Sequence, residues 1–514
     1  MKFRLVAIFI LLCLFLLSSF VHANSNKLNF AHYNITVPFK VTLPVLTIDL
    51  VESSVPFDEL VVIGIDKKNT TWAAVYIFNE KIKRFELLDK ILLQDEYFAY
   101  DISENENTVY FLSKNEVVTL KYTKDDHSAN SLKAGLYLEL KQKINSIFLL
   151  KKSNYLTKLD FIQDINLDGF DDIILPDFEK MNLWLFFEKS KTAFLQSLPI
   201  DTHIKVLMGD VIYKPNKLFF ADFNLDNRQD IAWFSMGNLN YFAQNSVGQF
   251  TTKPSLIPLV DSFQTLNWWE IRKSDGEKPD QSSLSHRVIE QLKDMNGDGL
   301  IDVIVRYTQS SGVLDRTNDY EFYFGYQNTD GKLVFQKQAN TVIKAEGTLT
   351  GLKILDVNND KKNEVLLSSF ELSLSNIIGA LLSGGIDQHV LMFALNGLNK
   401  FEEEPLFSKE VELSFSLTSG QSGQPIVLLA DVNGDSLKDL VLSSGSKKLA
   451  IYLGNTSTHL FNRKANQYKV LLPKDGDLFQ SNDINHDGKL DFVMRYGRLD
   501  DKKMTNKITI LLVK

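Results

Sequence analysis

Short runs rich in Val, Ile, Leu and Phe alternate along most of the chain with clusters of Asp, Asn and Gly, and almost no stretch repeats apolar residues at a sustained helical spacing. Runs such as "KLFFA" (217–221), "PIVLLA" (425–430) and "VIV" (303–305) are bounded by turn-forming residues. β-branched and aromatic residues in short bounded runs favour strands. The pattern predicts a predominantly β protein.

One polar cluster recurs. "DMNGDGLID" from Asp294 to Asp302 has counterparts in "DINLDGFDD" from Asp164, "DFNLDNRQD" from Asp222, "DVNNDKKNE" from Asp356, "DVNGDSLKD" from Asp431 and "DINHDGKLD" from Asp483. A period of about 60 residues is too long for a helical-pair solenoid and suits one four-stranded blade. The stretch "YFAYDISENENTVYFL" aligns with "DFIQDINLDGFDDIIL" so that Asp101 keeps the first acid while Val109 replaces the last. That makes seven units. The last unit is short of strands, and "ELVVIGI", "TWAAVYIF" and "FELLDKILL" lie upstream of the first. Pairing these with the C-terminal strands would leave no exposed edge. The expectation is an all-β chain forming a seven-bladed β-propeller closed by N- and C-terminal strands, with eight blades as the alternative.

Carboxylates that repel one another converge only where something offsets the repulsion. In DxNxDGxxD the side chains at positions one, three, five and nine can face one centre, and the carbonyl of position seven adds an oxygen. An irregular oxygen cage with about three negative charges suits Ca²⁺ better than Mg²⁺, which demands a tight octahedron and keeps its water. An EF-hand would need a bidentate Glu at position twelve, but that position holds Leu175, Trp233, Val305, Leu367, Leu442 and Met494. Glycine at position six, present as Gly169, Gly299 and Gly488, supplies a positive φ at no steric cost. Asn227 tolerates it and Ser436 less well, while Lys361 and Glu364 weaken the fourth copy by setting a cationic side chain beside the cage and a longer acid at its end. The competing reading of each loop is a metal-free Asx-turn hairpin.

Six such motifs, each followed by an apolar strand, resemble the FG-GAP or VCBS-type repeats of integrin α-subunit propellers and exported bacterial proteins. The resemblance covers roughly residues 55–514. It implies calcium ligands at Asp164, Asn166, Asp168 and Asp172, at Asp294, Asn296, Asp298 and Asp302, and at Asp483, Asn485, Asp487 and Asp491. It extends to Asp222, Asn224, Asp226 and Asp230, to Asp356, Asn358, Asp360 and Glu364, and to Asp431, Asn433, Asp435 and Asp439. It further implies a surface, adhesion or binding protein.

Charge and composition narrow the function. A basic start, an apolar run from Leu5 to Leu17 and small residues before Asn24 have the form of a secretory signal peptide cleaved after Ala23. An extension over 24–54 and a propeller over 55–514 would follow. The single cysteine, Cys13, lies in the signal segment, so the exported chain has no thiol chemistry. With 64 Asp and Glu against 56 Lys and Arg, the chain is acidic and ill-suited to nucleic acid. No later apolar stretch reaches membrane-spanning length.

No catalytic motif stands out, and the eight histidines lack metal-ligand spacing. The reading is an exported calcium-binding scaffold for a protein or glycan ligand, more readily a non-enzyme. The alternative is a polysaccharide-active lyase or hydrolase on the same scaffold. Two features suit recognition. Arg306 and Arg495, each followed by Tyr, occupy equivalent places and are expected either to bind an anionic group or to pair with neighbouring acids. Insertions at 261–290, with Trp268 and Trp269, and at 373–395 lengthen two of the spacings.

Overall fold

The computed structural model describes residues 28–51, 56–103, 105, 107–124, 134–146, 156–187, 192–207, 210–260, 262–271, 277, 280–312, 315–344, 347–370, 385–416, 421–457 and 459–514. The segment read as a signal peptide and half of the 373–395 insertion lie outside them. The chain is all-β, with only four short 3-10 turns among the described residues.

Antiparallel meanders follow one another along the chain. The first sheet sets Lys40–Val41 and Leu46–Ile48 against Glu59–Ile65, followed by Thr71–Asn79 and Arg84–Leu93. The second runs Ala99–Ser103, Thr108–Leu112, Glu116–Thr123, Gly135–Lys143, and the third Ile162–Gln163, Asp172–Pro176, Met181–Leu185, Phe194–Leu198. The fourth runs Leu218–Ala221, Asp230–Ser235, Asn238–Phe242, Ser255–Pro258. The fifth runs Leu284–Lys293, Asp302–Gly312, Asp315–Tyr323, Thr341–Ile343, and the sixth Thr348–Leu355, Glu364–Phe370, Gly385–Phe393, Phe407–Ser416; a single pairing, Asn318 with Thr348, joins these two meanders into one hydrogen-bonded sheet. The seventh runs Val427–Ala430, Asp439–Ser443, Lys448–Tyr452, Asn466–Lys469. The eighth takes Phe479–Asn482, Asp491–Arg495 and Lys507–Val513 from the C-terminus and Phe30–Thr36 from the N-terminus.

Two sequence expectations change here. The strands 59–65, 71–79 and 84–93 do not pair with the C-terminal strands; they make a sheet of their own, one more than the seven motif-bearing units. The strand that does complete the last sheet is Phe30–Thr36, inside the stretch read as an extension, with Ile35 opposite Ile508 and Tyr33 opposite Ile510. Its weak alternation of Ala, Tyr and Ile with polar residues disguised it. Likewise, Gly385–Phe393, part of the second insertion, is a regular strand of the sixth sheet.

The continuous apolar runs have a simple cause: each second strand is covered on both faces. Successive side chains of a strand point to opposite faces. In the third sheet, Ile173 and Leu175 pack with Tyr110 and Leu112 of the second sheet, whereas Ile174 packs with Ile231 and Trp233 of the fourth. The rule repeats: Val303 and Val305 meet Phe223 and Ala232 of the fourth sheet, while Ile304 meets Val365 and Leu367 of the sixth. Leu440 and Leu442 pack back on Leu366, and Val441 packs forward on Phe492. The order ends where it began, because Val493 and Ile510 of the eighth sheet share a cluster with Leu60 and Val62 of the first, and Val61 and Ile63 pack on Val109 and Phe111 of the second.

Side chains also join the first strands of neighbouring sheets. Lys217 Nζ donates to Glu290 O (2.7 Å), Lys293 Nζ to Ile354 O (2.8 Å) and Lys353 Nζ to Val427 O (2.6 Å). Gln480 exchanges two bonds with the backbone of Val45, both 3.1 Å. Backbone groups at a sheet edge are thereby capped by side chains, which blunts the edge against unwanted pairing.

Candidate functional site

All six acidic motifs occupy the same place: the turn between the first and second strands of sheets three to eight. Each turn closes on its own side chains. In 164–172, Asp164 accepts from Asp168 N (3.0 Å) and Gly169 N (2.8 Å), Asn166 Oδ1 accepts from Asp168 N (3.1 Å), and Asp168 Oδ1 accepts from Phe170 N (3.0 Å). The network recurs around Asp222, Asn224 and Asp226 and, with Gly297 N in place of the position-five N–H as donor to Asp294 Oδ1, around Asp294, Asn296 and Asp298. It recurs again around Asp356, Asn358 and Asp360, Asp431, Asn433 and Asp435, and Asp483, Asn485 and Asp487. In every loop the Asn amide also donates to the position-five carboxylate, at 2.8–3.2 Å.

The backbone explains position six. Its φ is positive in all six loops: Gly169 91°, Asn227 64°, Gly299 83°, Lys361 70°, Ser436 71° and Gly488 81°. A Cβ on Gly169, Gly299 or Gly488 would meet nothing within 4 Å, so glycine serves the dihedral rather than the space. Position four, which the sequence did not flag, is also left-handed throughout, at Leu167, Leu225, Gly297, Asn359, Gly434 and His486.

The ninth-position acid has a distinct task. Asp172 Oδ2 accepts from Ile165 N (3.1 Å) at the start of the loop and Oδ1 from Phe186 N (2.8 Å) beyond the third strand. Asp230, Asp302, Asp439 and Asp491 make the same pair of bonds, and Glu364 makes the first of them to Val357 N (2.8 Å). These acids are buried. Burial, then repulsion from the acids at positions five and one, pushes Asp172, Asp302 and Asp491 up to about 7. Among the described residues, no three His, Cys, Asp or Glu side chains are grouped to hold a metal: the third residue is Asn, and the ninth is turned toward backbone N–H groups.

The first sheet carries a disguised version of this turn. Glu59 Oε2 accepts from Leu50 N (2.8 Å) and Val51 N (3.0 Å), as a ninth-position acid does. The only sequence signal was an acid heading the apolar run 59–65.

Position eight links several of these turns to the preceding one. Gln229 Nε2 donates to Ile165 O (3.0 Å), Asn363 N to Met295 O (3.0 Å), Lys438 N to Val357 O (3.1 Å), Leu490 N to Asp431 O (2.8 Å) and Asp58 N to Ile484 O (2.9 Å). Ser103 hydrogen-bonds Asp171 in the same relation. The second loop differs from the rest, because Arg228 Nη2 sits 2.5 Å from Asp226 Oδ2 and neutralises it from within.

The two singled-out arginines part company. Arg306 is buried and engaged: Nε lies 2.5 Å from Glu290 Oε1, Nη2 bonds Asn267 Oδ1, and the guanidinium stands 5.1 Å from the Trp269 ring centre. Beside it Trp268 and Trp269 meet edge to face, and both line a pocket of about 650 Å³ between the fifth and sixth sheets with Arg316, Tyr320 and Thr350. Trp268 is buried, whereas Trp269 is 42% exposed. Arg495 ends the second strand of the eighth sheet, and its buried Nε has no hydrogen-bond partner.

No family model matches the sequence, and no curated protein matches it. Among solved structures, a lectin from Agrocybe aegerita, described as recognising non-reducing terminal N-acetylglucosamine, aligns at 14% identity over 84% of this chain and 95% of its own, with a TM-score of 0.39. Saccharomyces cerevisiae Sqt1 aligns at 10% identity over 94% and 98%, with a TM-score of 0.40. The WD40 domain of SCAP from fission yeast aligns at 10% over 84% and 99%, with a TM-score of 0.31. At these TM-scores the likeness carries no argument.

Proposed function

We propose that this chain is an exported, calcium-loaded β-propeller of eight FG-GAP-like blades that serves as a binding or adhesion scaffold for a protein or glycan. The observation that carries the reading is the chain of loop-to-loop bonds from position eight. Most of the acidic turns are tied directly to a neighbouring turn, so a cation fixed in one turn stiffens the turn bonded to it. The return of the packing order from the eighth sheet to the first supports ring closure.

The donor set fits calcium. The carboxylate oxygens at positions one and five accept one N–H each or nearly so and retain a lone pair. With the Asn oxygen, the position-seven carbonyl and water they offer the irregular oxygen shell that Ca²⁺ accepts. The ninth acid holds the strands under that shell. Loops 164–172 and 294–302 contain no cationic residue, and Lys489 of loop 483–491 makes no ion pair among the described residues, so these three are the favoured sites; in loop 222–230 Arg228 pairs with Asp226.

Thermal unfolding of the chain in chelator, calcium and magnesium tests this. A ligand that binds only the folded state adds about 2.7 kcal/mol per site at a hundredfold excess over its Kd. Calcium is expected to raise the melting temperature and magnesium to leave it near the chelator value. Equal melting in chelator and calcium overturns the proposal.

A further inference from the structure

The loops lie at one end of the eighth sheet, where Asp491 starts its second strand; Arg495 ends that strand at the other. There, Lys40, Thr42, Asn69, Asp475, Arg495 and Arg498 line a pocket of about 460 Å³. The pocket sits in the seam where the first sheet, through 40–43 and Ile65, meets the eighth.

Its electrostatics are unbalanced. Lys40, Arg495 and Arg498 contribute three positive charges, and among the described residues none of them has a carboxylate within ion-pairing distance. The one acid, Asp475, spends Oδ1 on Gln424 N (3.2 Å) and Asp477 N (3.3 Å). Lys40 and Arg498 are exposed, whereas Arg495 is half-buried, with its Nε buried and without a partner. A guanidinium has five donors in a fixed fork and stays charged, so burying it unpaired is costly unless an acceptor arrives. Apolar neighbours Val41, Leu43, Ile65 and Leu478 supply no such acceptor from their side chains.

We propose that this seam pocket binds a phosphate or sulfate group, free or as a monoester, with Arg495 as its two-pronged donor and Lys40 and Arg498 at its rim. A tetrahedral dianion matches the site better than a carboxylate: the fork satisfies two of its oxygens, and the remaining charge faces the two rim cations. Bound there, the anion bridges the two sheets that join the ends of the chain. The inference goes beyond the calcium scaffold and does not rest on it.

The test is calorimetric titration of the full chain in chelator at fixed ionic strength, with four probes: inorganic phosphate, sodium sulfate, glucose 6-phosphate and N-acetylglucosamine 6-sulfate. At least one is expected to bind saturably. The exposed pair K40A/R498A should weaken that binding at least tenfold, and R495M should abolish it while melting higher than the parent without anions. Tighter binding of the esters identifies an organic ester as the source, and tighter binding of the ions identifies the free anion. Should R495M fail to fold, K40A/R498A decides alone. No saturable binding by any probe, or parental affinity in K40A/R498A, overturns the inference. Because calcium is absent throughout, its failure is separable from failure of the calcium reading.

Discussion

At the residue scale, the loops are built on dihedrals that side chains resist. A left-handed φ costs a residue with a Cβ about 1 kcal/mol. Lys361 and Ser436 bear that cost at position six, where three sister loops have Gly. K361G and S436G are therefore expected to stabilise the chain by about 1 kcal/mol each in urea unfolding, and G488A to cost a similar amount. Position six was readable because Gly is conspicuous there. Position four was not, because Leu167 and Leu225 look like ordinary apolar residues, although Leu167 is 65% exposed.

A second residue-scale prediction concerns Asp101, the remnant acid of the second sheet. It is buried and accepts from Phe161 N (2.7 Å), Ile162 N (2.8 Å) and Ile102 N (2.9 Å). Burial raises its pKa above the ordinary carboxylate value, and the three bonds only partly oppose this. The folded state then holds the proton more tightly than the unfolded state, so this group's contribution to stability grows as pH falls from neutrality toward the unfolded pKa. The stability of the parent relative to D101N should increase between pH 7 and pH 5. A difference independent of pH would contradict it.

At the element scale, the repeated unit is a turn clamped to two neighbouring strands by one buried acid. Removing that acid orphans two buried N–H groups, each costing roughly 1–3 kcal/mol. D302A is expected to lose about 3 kcal/mol in chelator as well as in calcium, which separates the clamp from any metal ligation. By contrast, R228Q removes the internal cation of the second loop and should add one bound calcium per chain in equilibrium dialysis. The turns and the second strands were legible because short-range chemistry dictates both: Asx turns, glycine and an apolar run covered on two faces. Phe30–Thr36 was not, since its partner is the far end of the chain, and the acid Glu59 was not, since its loop has lost every other member of the motif.

At the scale of the whole molecule, the C-terminal strands pack on strands of the first sheet, and Phe30–Thr36 pairs with Lys507–Val513. Deleting Phe30–Thr36 would bare the Lys507–Val513 edge, whose residues from Ile508 to Val513 are all buried and, Thr509 apart, apolar. An unpaired apolar edge invites association. The deletion is expected to lower the melting temperature and produce concentration-dependent oligomers in sedimentation, whereas a monomer melting like the parent would argue against closure by that strand.

The proposed calcium sites can be tested directly. Crystals grown in calcium and measured at a wavelength where calcium scatters anomalously should show anomalous density inside loops 164–172, 294–302 and 483–491, bounded by Asp164 and Asp168, Asp294 and Asp298, and Asp483 and Asp487. Well-ordered loops with no anomalous density at any of the three would contradict the account.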